Sequence, residues 1–227
     1  MKLRLFNYWR SSASHRVRIG LGIKGLAFEY IAVNIVKKEQ FSTDYRDRNW
    51  IGQVPTLELT EDDGRVLSFT QSLPILEYLD ERFPENPLLP RDAVMRAKSR
   101  ALAEIVNSGI QPHQNLSTAA RLTELKVDPK AYAAGFIAAG LVAYAKLAAE
   151  VAGTFSVGDA PTLADIALVP QINAARRFGV LDDNKFAWSP LMEHATAVEK
   201  LVEIEQRCME LPAFANAAPD NQPDAVK

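Results

Sequence analysis

The feature that most constrains the fold of this chain is a change in its hydrophobic pattern. At first, short apolar segments alternate with segments of helical spacing, which is typical of a sheet covered by helices. Three prolines then fall within residues 84–90, and beyond them the apolar spacing is helical as far as Glu210. We therefore predict an α/β domain over residues 1–83 and an all-helical domain over residues 93–215.

Within the first domain, the pattern predicts a strand, a helix and a second strand, then a hairpin and a last helix. The first strand covers about Leu3 to Trp9, and the first helix runs from about Ser12 to Lys24 with Gly25 beyond its end. This order favours a right-handed parallel unit. The second strand is expected at Phe28–Ile35, and the hairpin strands at Val54–Leu59 and Val66–Phe69. Ser72 is the expected N-cap of the last helix.

Net charge indicates that the molecule as a whole does not attract polyanions. The chain has 26 Lys and Arg residues against 28 Asp and Glu residues, a formal net charge of -2. Strong attraction of nucleic acid or of an anionic membrane needs a large net charge or a basic run, so neither is an expected partner. An anionic ligand must therefore be held by local groups.

Other features bear on compartment and cofactors. Cys208 is the single cysteine and the first residues lack the apolar core of a secretory signal, so a reducing cytoplasm is expected. The uncharged stretch from Ala131 to Ala145 is shorter than the roughly 20 residues of a membrane span and indicates a soluble helix. The three histidines lack metal-ligand spacing, so no metal is predicted. No nucleotide-binding motif is found either.

Two serines stand where the first strand gives way to the first helix. Ser11 and Ser12 lie at a helix N-terminus, where N–H groups lack intrahelical partners and an anion is stabilised. A helix end usually contributes about 0.3 to 1 kcal/mol to holding an anion, and a hydrogen bond donated to the anion contributes roughly 1.5 to 3 kcal/mol. The alternative is that either serine is only an N-cap.

Further strings place polar groups where a ligand could bind. Gln53-Val54-Pro55-Thr56-Leu57 leads into a strand, and Gln71-Ser72 opens a helix, where a carboxylate is favoured although Ser72 could simply cap it. In the helical region, Gly-Ile-Gln-Pro-His-Gln-Asn at residues 109–115 puts a proline inside a helical run and predicts a kink. The string at residues 162–165, Thr-Leu-Ala-Asp, fits a capping box with a structural role.

Taken in order, these strings resemble the zeta class of glutathione transferases, which includes maleylacetoacetate isomerases. The strongest likeness is Arg-Ser-Ser-Ala-Ser-His-Arg-Val-Arg-Ile at residues 10–19, and the likeness covers nearly the whole chain. It implies a thioredoxin-like N-terminal domain, an all-α C-terminal domain and glutathione as cofactor. It also implies a homodimer, although periodicity does not locate the interface.

The resemblance implies roles for the matching residues. Ser11, with Ser12 beside it, would activate the glutathione thiol. Arg10 and Arg177 would converge on a dicarboxylate or diketo acid, for which guanidinium is suited; the alternative for Arg177 is a solvated surface role. Gln111 lies at the predicted kink and either contacts glutathione or only shapes the wall of a cleft. The implied glutathione ligands are Gln53, Val54 (through its backbone), Gln71, Ser72 and Gln111. The resemblance also implies a cis peptide bond before Pro55; the alternative is an ordinary edge-strand proline.

The chain also departs from the family pattern at three positions. Ala13 stands where many zeta-class enzymes have Cys, which makes side activities on haloacids harder to assert. His15 replaces an aromatic residue often seen there. A maleylpyruvate isomerase branch has an additional arginine shortly after the proline-containing segment, where this chain has Leu116.

The predicted function is cis-trans isomerisation of maleylacetoacetate or a similar maleyl diketo acid. Glutathione acts as a reusable nucleophile: its thiolate adds to the double bond, the single bond rotates, and elimination gives the trans product. One alternative is a broad transferase that conjugates glutathione to small electrophiles. Another is a non-catalytic interaction module, since folds are reused for binding.

Overall fold

The computed structural model describes residues 1–226, which divide into two compact units. The first unit comprises Met1–Leu88 and the chain from Leu211 onward, and the second comprises Leu89–Glu210. We call residues 211–226 the tail. Residues 211–215, which the sequence pattern assigns to the helical domain, thus belong to the first unit, because they pack on its first helix.

A four-stranded sheet forms the centre of the first unit. Its strands are β1 (Lys2–Asn7), β2 (Glu29–Ala32), β3 (Thr56–Thr60) and β4 (Val66–Thr70). The order across the sheet is β2-β1-β3-β4. β1 and β2 are parallel, whereas β3 is antiparallel to both β1 and β4. The predicted parallel pairing and hairpin are confirmed.

Three helices of the first unit accompany this sheet, namely α1 (Ser12–Ile23), α2 (Thr43–Arg46) and α3 (Ser72–Arg82). As predicted, α1 ends before a glycine in the left-handed region, Gly25 with φ 66°. β1 stops at Asn7 rather than Trp9, because the chain turns there and the Ser11 N–H donates to the Tyr8 carbonyl at 3.0 Å. Aliphatic side chains from the sheet, α1 and α3 form the buried core: Leu3, Leu5, Val17, Leu21, Leu57, Leu59, Ile75 and Leu79.

The tail carries a short helix, α9 (Pro212–Ala215), which packs on α1. Phe214 in this helix is fully buried. Close approach is possible because Gly22 has no side chain: a Cβ there would lie 3.1 Å from the Cα of Ala213.

The second unit is mainly helical, with one small ladder and an isolated bridge between Ala152 and Gly158. Its helices are α4 (Ala93–Glu104), α5 (Leu116–Glu124), α6 (Pro129–Ala148), α7 (Leu163–Phe178) and α8 (Ala195–Met209). The expectation that no strand follows the proline-rich boundary is wrong, since β5 (Leu181–Asp182) pairs with β6 (Lys185–Phe186). Asp183 and Asn184 between them both have positive φ, 43° and 61°, as a two-residue hairpin turn requires.

Helix α6 contains the apolar stretch noted in the sequence. By length and composition alone it could cross a membrane, and it is the one such helix in residues 1–226. Half of its apolar window is buried within the structure. It packs against α7 and α8, and a Cβ at Gly140 would lie 2.3 Å from the Cγ1 of Ile110. This close packing accounts for its small, uncharged residues and agrees with a core helix.

A buried carboxylate holds the N-terminus of α7. The predicted capping box is confirmed, since Thr162 is the N-cap and the carboxylate of Asp165 accepts the Thr162 N–H at 2.8 Å. The other carboxylate oxygen accepts the N–H of Ser156 at 2.8 Å. Burial raises the pKa of Asp165 above its ordinary value. These contacts are structural and none of these residues is placed in the site below.

Candidate active site

Ser11 is the N-cap of α1. Its backbone is extended, with φ -71° and ψ 119°, and its hydroxyl accepts the N–H of Ser14 at 3.2 Å. A hydroxyl that accepts a hydrogen bond still has its own proton to donate. The two interpretations of Ser11, as a cap and as a donor to a thiolate, are therefore compatible. Ser12 is the first residue of the helix and is partly exposed.

Arg10 immediately precedes this N-cap on the turn that leaves β1. It is exposed, and its guanidinium carbon lies 5.5 Å from the centre of the Trp9 ring. A cation held against an aromatic face keeps its hydrogen-bond donors at the rim of the ring. The turn thus presents a permanent positive charge beside Ser11.

His15 lies in the first turns of α1, and its side chain is inside the fold. It is only 3% exposed. Burial, and after it the charges of Arg18 and Arg16, lower the pKa of His15 well below its ordinary value. The imidazole is therefore neutral at neutral pH and occupies a packing position, as the aromatic residue of the family pattern would.

We expect this buried histidine to make stability depend on pH. Because the folded-state pKa of His15 lies below the unfolded value of about 6.5, the unfolded chain binds more protons below that pH. The free energy of unfolding should then fall by up to about 1.4 kcal/mol per pH unit as pH drops below about 6.5. Urea unfolding of the wild type and of His15→Phe between about pH 5 and pH 8 measures the effect.

The difference between the two proteins cancels the titration of all other groups. It should be constant above about pH 7.5 and should change below about pH 6.5 in favour of His15→Phe. Stability curves that stay parallel over the whole range would show that His15 does not titrate between the two states.

The backbone at Val54 leads into the middle of the sheet. The Val54-Pro55 peptide bond is cis, as the resemblance implies. The alternative of an ordinary edge-strand proline is wrong, because β3, which follows Pro55, has hydrogen-bonded neighbours on both sides. Val54 is partly exposed and packs beside Phe6 and Val33.

Two residues that were not predicted from the sequence, Tyr45 and Asn49, hold this segment by hydrogen bonds. The carbonyl of Gln53 accepts from the Tyr45 hydroxyl at 2.6 Å and from the Asn49 side-chain amide at 2.7 Å. Both side chains also reach the Thr56 hydroxyl, at 2.9 and 3.1 Å. Tyr45 and Asn49 are buried, and burial raises the pKa of Tyr45, so its phenol remains a donor. They come from a polar segment with no periodicity, which left no signal in the sequence.

Gln71 and Ser72 are arranged differently from the prediction. Gln71, not Ser72, is the N-cap of α3, and it has φ 69° and ψ 126°, which is strained for a residue with a Cβ. Such strain costs about 1 to 3 kcal/mol and is concentrated at ligand sites. Gln71 is exposed, whereas Ser72 is 4% exposed.

The Ser72 hydroxyl does not cap the helix because it faces a buried cation. It accepts a hydrogen bond from Arg16 of α1 at 3.2 Å. Arg16 is fully buried. The N-terminal turns of α1 and α3 are therefore linked by a guanidinium, and a negative ligand near these helix ends is favoured by both dipoles and by this charge. The signal in the sequence was the pair of arginines, Arg16 and Arg18, on either side of Val17 in α1.

Gln111 belongs to the second unit. After α4, the chain forms a π-helix at Ile105–Ile110. A single 3₁₀ turn follows at Gln111–Gln114. The helical run is interrupted at the proline, where the sequence predicted a kink. Gln111 is partly exposed on this turn. Beside it, Gln114 donates to Gln171 at 3.0 Å, and this contact fixes the turn to α7.

The two neighbouring arginines at the end of α7 have different environments. Arg176 makes a two-pronged contact with Glu205 at 2.9 and 2.8 Å and also donates to Asn184 at 2.8 Å. Arg177 is exposed, and its guanidinium carbon lies 5.3 Å from the Phe178 ring centre. Arg176 is thus committed to holding the fold, and Arg177 is the more exposed of the pair.

The predicted site residues fall in both units. Arg10, Ser11, Ser12, Gln53, Val54, Gln71 and Ser72 lie in the first unit; Gln111 and Arg177 lie in the second. Among residues 1–226, no group of three or more His, Cys, Asp or Glu side chains could hold a metal ion. The first unit therefore offers two helix N-termini, a strained N-cap and the backbone before β3 as its binding groups.

Comparison with known proteins places this arrangement in a family. The family described as "Glutathione S-transferase, N-terminal domain" matches residues 1–81. Glutathione S-transferase Z1 of Arabidopsis thaliana is 44% identical over 99% of this chain and 95% of its own length. The zeta-class glutathione S-transferase of Euphorbia esula is 43% identical over 99% of this chain and 93% of its own length.

Solved structures give the same result. Maleylacetoacetate isomerase from Anaeromyxobacter dehalogenans with glutathione in its active site has a TM-score of 0.86 and 48% identity, covering 99% of this chain and 98% of that one. The same enzyme with bound dicarboxyethyl glutathione and citrate has a TM-score of 0.85, 48% identity, and covers 100% and 98% of the two chains. Identity at this level over whole chains, together with the fold and the matching motifs, shows that this chain belongs to the zeta class of glutathione transferases, the maleylacetoacetate isomerase family.

Proposed function

We propose that the protein is a glutathione-dependent cis-trans isomerase of maleylacetoacetate or a similar maleyl diketo acid. The observation that carries this proposal is the Ser11 hydroxyl at the N-terminus of α1, in a chain 48% identical to an isomerase that binds glutathione. That isomerase also holds dicarboxyethyl glutathione. Such a molecule is what results when a glutathione sulfur adds to the double bond of a dicarboxylic acid.

The reaction conserves glutathione. The thiolate forms a carbon–sulfur bond to one carbon of the double bond, and the π electrons move onto the conjugated carbonyl oxygen as an enolate. The former double bond is now single and rotates. The enolate then returns its electrons, the carbon–sulfur bond breaks, and the trans product leaves with the thiolate restored.

Ser11 is assigned the role of keeping the glutathione sulfur ionised. Its hydroxyl donates to the sulfur, while the Ser14 N–H that it accepts holds the oxygen in place. This bond supplies roughly 1.5 to 3 kcal/mol, and the N-terminus of α1 supplies about 0.3 to 1 kcal/mol. Together they match the roughly 2.7 kcal/mol needed to lower the thiol pKa by about two units. Ser12, one residue further, is the secondary candidate.

The remaining glutathione contacts follow from the geometry of the first unit. The Val54 backbone, held through the Gln53 carbonyl by Tyr45 and Asn49, binds the cysteinyl part of the tripeptide. Gln71 and Ser72 bind the γ-glutamyl carboxylate at the N-terminus of α3, where the N-cap side chain makes no capping hydrogen bond and the first N–H groups lack intrahelical partners. Gln111 of the second unit is retained as a further glutathione ligand.

Arg10 and Arg177 are assigned to the substrate. A guanidinium binds a carboxylate through two parallel hydrogen bonds and also stabilises an enolate oxygen. Both arginines are exposed, and Arg10 adjoins Ser11 in sequence. Arg176 is not assigned this role because its donors are directed at Glu205 and Asn184.

The enzyme is further proposed to be a cytoplasmic homodimer, as the family resemblance implies. Cys208 is a free, buried thiol, and burial raises its pKa, which lowers its reactivity towards oxidation and disulfide exchange. This is consistent with a reducing compartment.

An isomerisation assay on maleylacetone tests the proposed function. We expect conversion to the trans isomer that requires glutathione in catalytic amounts, with no net consumption of the thiol. Product formation is followed by chromatography, and free thiol is titrated before and after the reaction. Conversion that does not depend on glutathione, or stoichiometric loss of thiol into an adduct, would contradict the proposal.

A further inference from the structure

The turn that carries the chain from β1 to the Ser11 cap is tied to the tail. We call residues 8–11 the β1–α1 turn. The Trp9 N–H donates to a carboxylate oxygen of Asp224 at 3.2 Å. The other oxygen of Asp224 accepts the hydroxyl of Tyr30 on β2. Tyr30 is the donor, because burial and the contact with Asp224 raise the pKa of its phenol.

Arg18 also makes hydrogen bonds to this turn. One of its terminal nitrogens donates to the Asn7 side chain at 3.0 Å and to the Tyr8 carbonyl at 3.4 Å, and the other donates to the Trp9 carbonyl at 3.0 Å. Its Nε donates to the carbonyl of Ala217 in the tail at 3.1 Å. Arg18 is 3% exposed. Burial lowers its pKa to about 10, so it is still charged at neutral pH.

These contacts leave the turn little freedom. The Tyr8 carbonyl accepts from both Ser11 and Arg18, and the Trp9 peptide groups are engaged at both the N–H and the carbonyl. Ser11 follows directly, so displacing the turn moves its hydroxyl. An error of about 1 Å in the position of a reacting group can lower a rate roughly 100-fold.

We infer that the tail is part of the catalytic apparatus: Asp224 is a positioning residue that acts through the β1–α1 turn, with Arg18, to hold the Ser11 hydroxyl at the glutathione sulfur. The inference rests on the proposed function of Ser11. It adds a residue more than 200 positions away in the chain, which contacts the backbone of the turn at Trp9.

Replacing Asp224 with Ala tests this inference. We expect kcat on maleylacetone to fall roughly tenfold, while KM for glutathione changes by less than about twofold. The thiol of bound glutathione, titrated by the ultraviolet absorbance of the thiolate, should have its pKa raised by about one unit. A residue that only stabilised the fold would lower the amount of active protein without changing this titration.

Matched variants separate the possible outcomes. Asp220→Ala removes an exposed aspartate from the same tail and should match the wild type in both measurements. Asp224→Asn keeps one acceptor oxygen for the Trp9 N–H and should give an intermediate shift; it also serves if Asp224→Ala does not fold. A thiol titration that is the same in Asp224→Ala, Asp224→Asn and the wild type would overturn the inference.

The titration uses bound glutathione and does not depend on turnover. If the wild type binds glutathione but does not isomerise maleylacetone, the proposed substrate is wrong, and the titration still decides the role of Asp224. If the wild type isomerises maleylacetone and the Asp224 variants leave the thiol unchanged, the proposed function stands and this inference fails.

Discussion

Replacing Ser11 with Ala is expected to lower kcat/KM for maleylacetone roughly 10- to 150-fold, while glutathione still binds. The range follows from the roughly 1.5 to 3 kcal/mol of a hydrogen bond to a charged group. Without the hydroxyl, the pKa of the bound thiol should rise by about one to two units. Steady-state kinetics, calorimetric binding of glutathione and titration of the bound thiolate measure these effects separately.

Because Ser11 also caps α1, its replacement affects stability, and the controls must separate the two roles. Ser11→Ala loses the cap and lowers the free energy of unfolding by about 0.5 to 2 kcal/mol, whereas Ser11→Gly lowers it by only a few tenths of a kcal/mol. Both lack the hydroxyl, so both should lose activity to a similar degree. Ser11→Thr keeps a hydroxyl and should retain most activity. Unchanged turnover in Ser11→Ala would refute the assignment, and a larger loss in Ser12→Ala would transfer the role to Ser12.

The second large effect is expected at Arg177. Arg177→Ala should lower kcat/KM on maleylacetone by roughly 10- to 150-fold, since a charge-assisted contact to a carboxylate or enolate is lost. On an uncharged aryl halide the same variant should stay within about twofold of the wild type, because that substrate offers no carboxylate. The ratio of the two activities therefore distinguishes a maleyl isomerase from a broad conjugating transferase.

Arg177→Lys is the matched control for charge. Lysine keeps the positive charge but not the planar fork, so partial activity on the maleyl substrate is expected. Equal losses on both substrates in Arg177→Ala would indicate a general role in the fold. No loss on either would favour the interpretation of Arg177 as a surface residue. Failure of the wild type to bind glutathione at all would instead favour a non-catalytic interaction module.

The fold was largely predictable from local patterns. Apolar periodicity, turn residues and proline spacing located the sheet, the hairpin and the helical region, because these signals depend on neighbours within a few residues. The N-cap of α3 was misplaced by one residue for a reason the pattern does not contain. The Ser72 side chain is directed at Arg16, which lies 56 residues earlier in the chain.

The candidate site was predictable only in part. Residues at the ends of helices and strands were found, whereas residues that act through tertiary contacts were not. Ser11, Val54 and Gln71 stand at element ends that a local reading can find. Tyr45 and Asn49 were missed because they lie in a segment without periodicity. Their contribution is a pair of hydrogen bonds to the Gln53 carbonyl. The family resemblance points to Arg177 as a substrate ligand. The structure shows that its neighbour Arg176 pairs with Glu205, and the role of Arg177 stays a prediction.

The sequence by itself determined the α/β and all-α regions, the family and the serine at the start of the first helix, because each depends on residue type and short spacing. Only the tertiary structure decided that the tail belongs to the first unit and that Asp224 and Arg18 both hold the β1–α1 turn. Contacts between residues so distant in the chain depend on how the folded elements pack. A single sequence carries no periodic record of that packing.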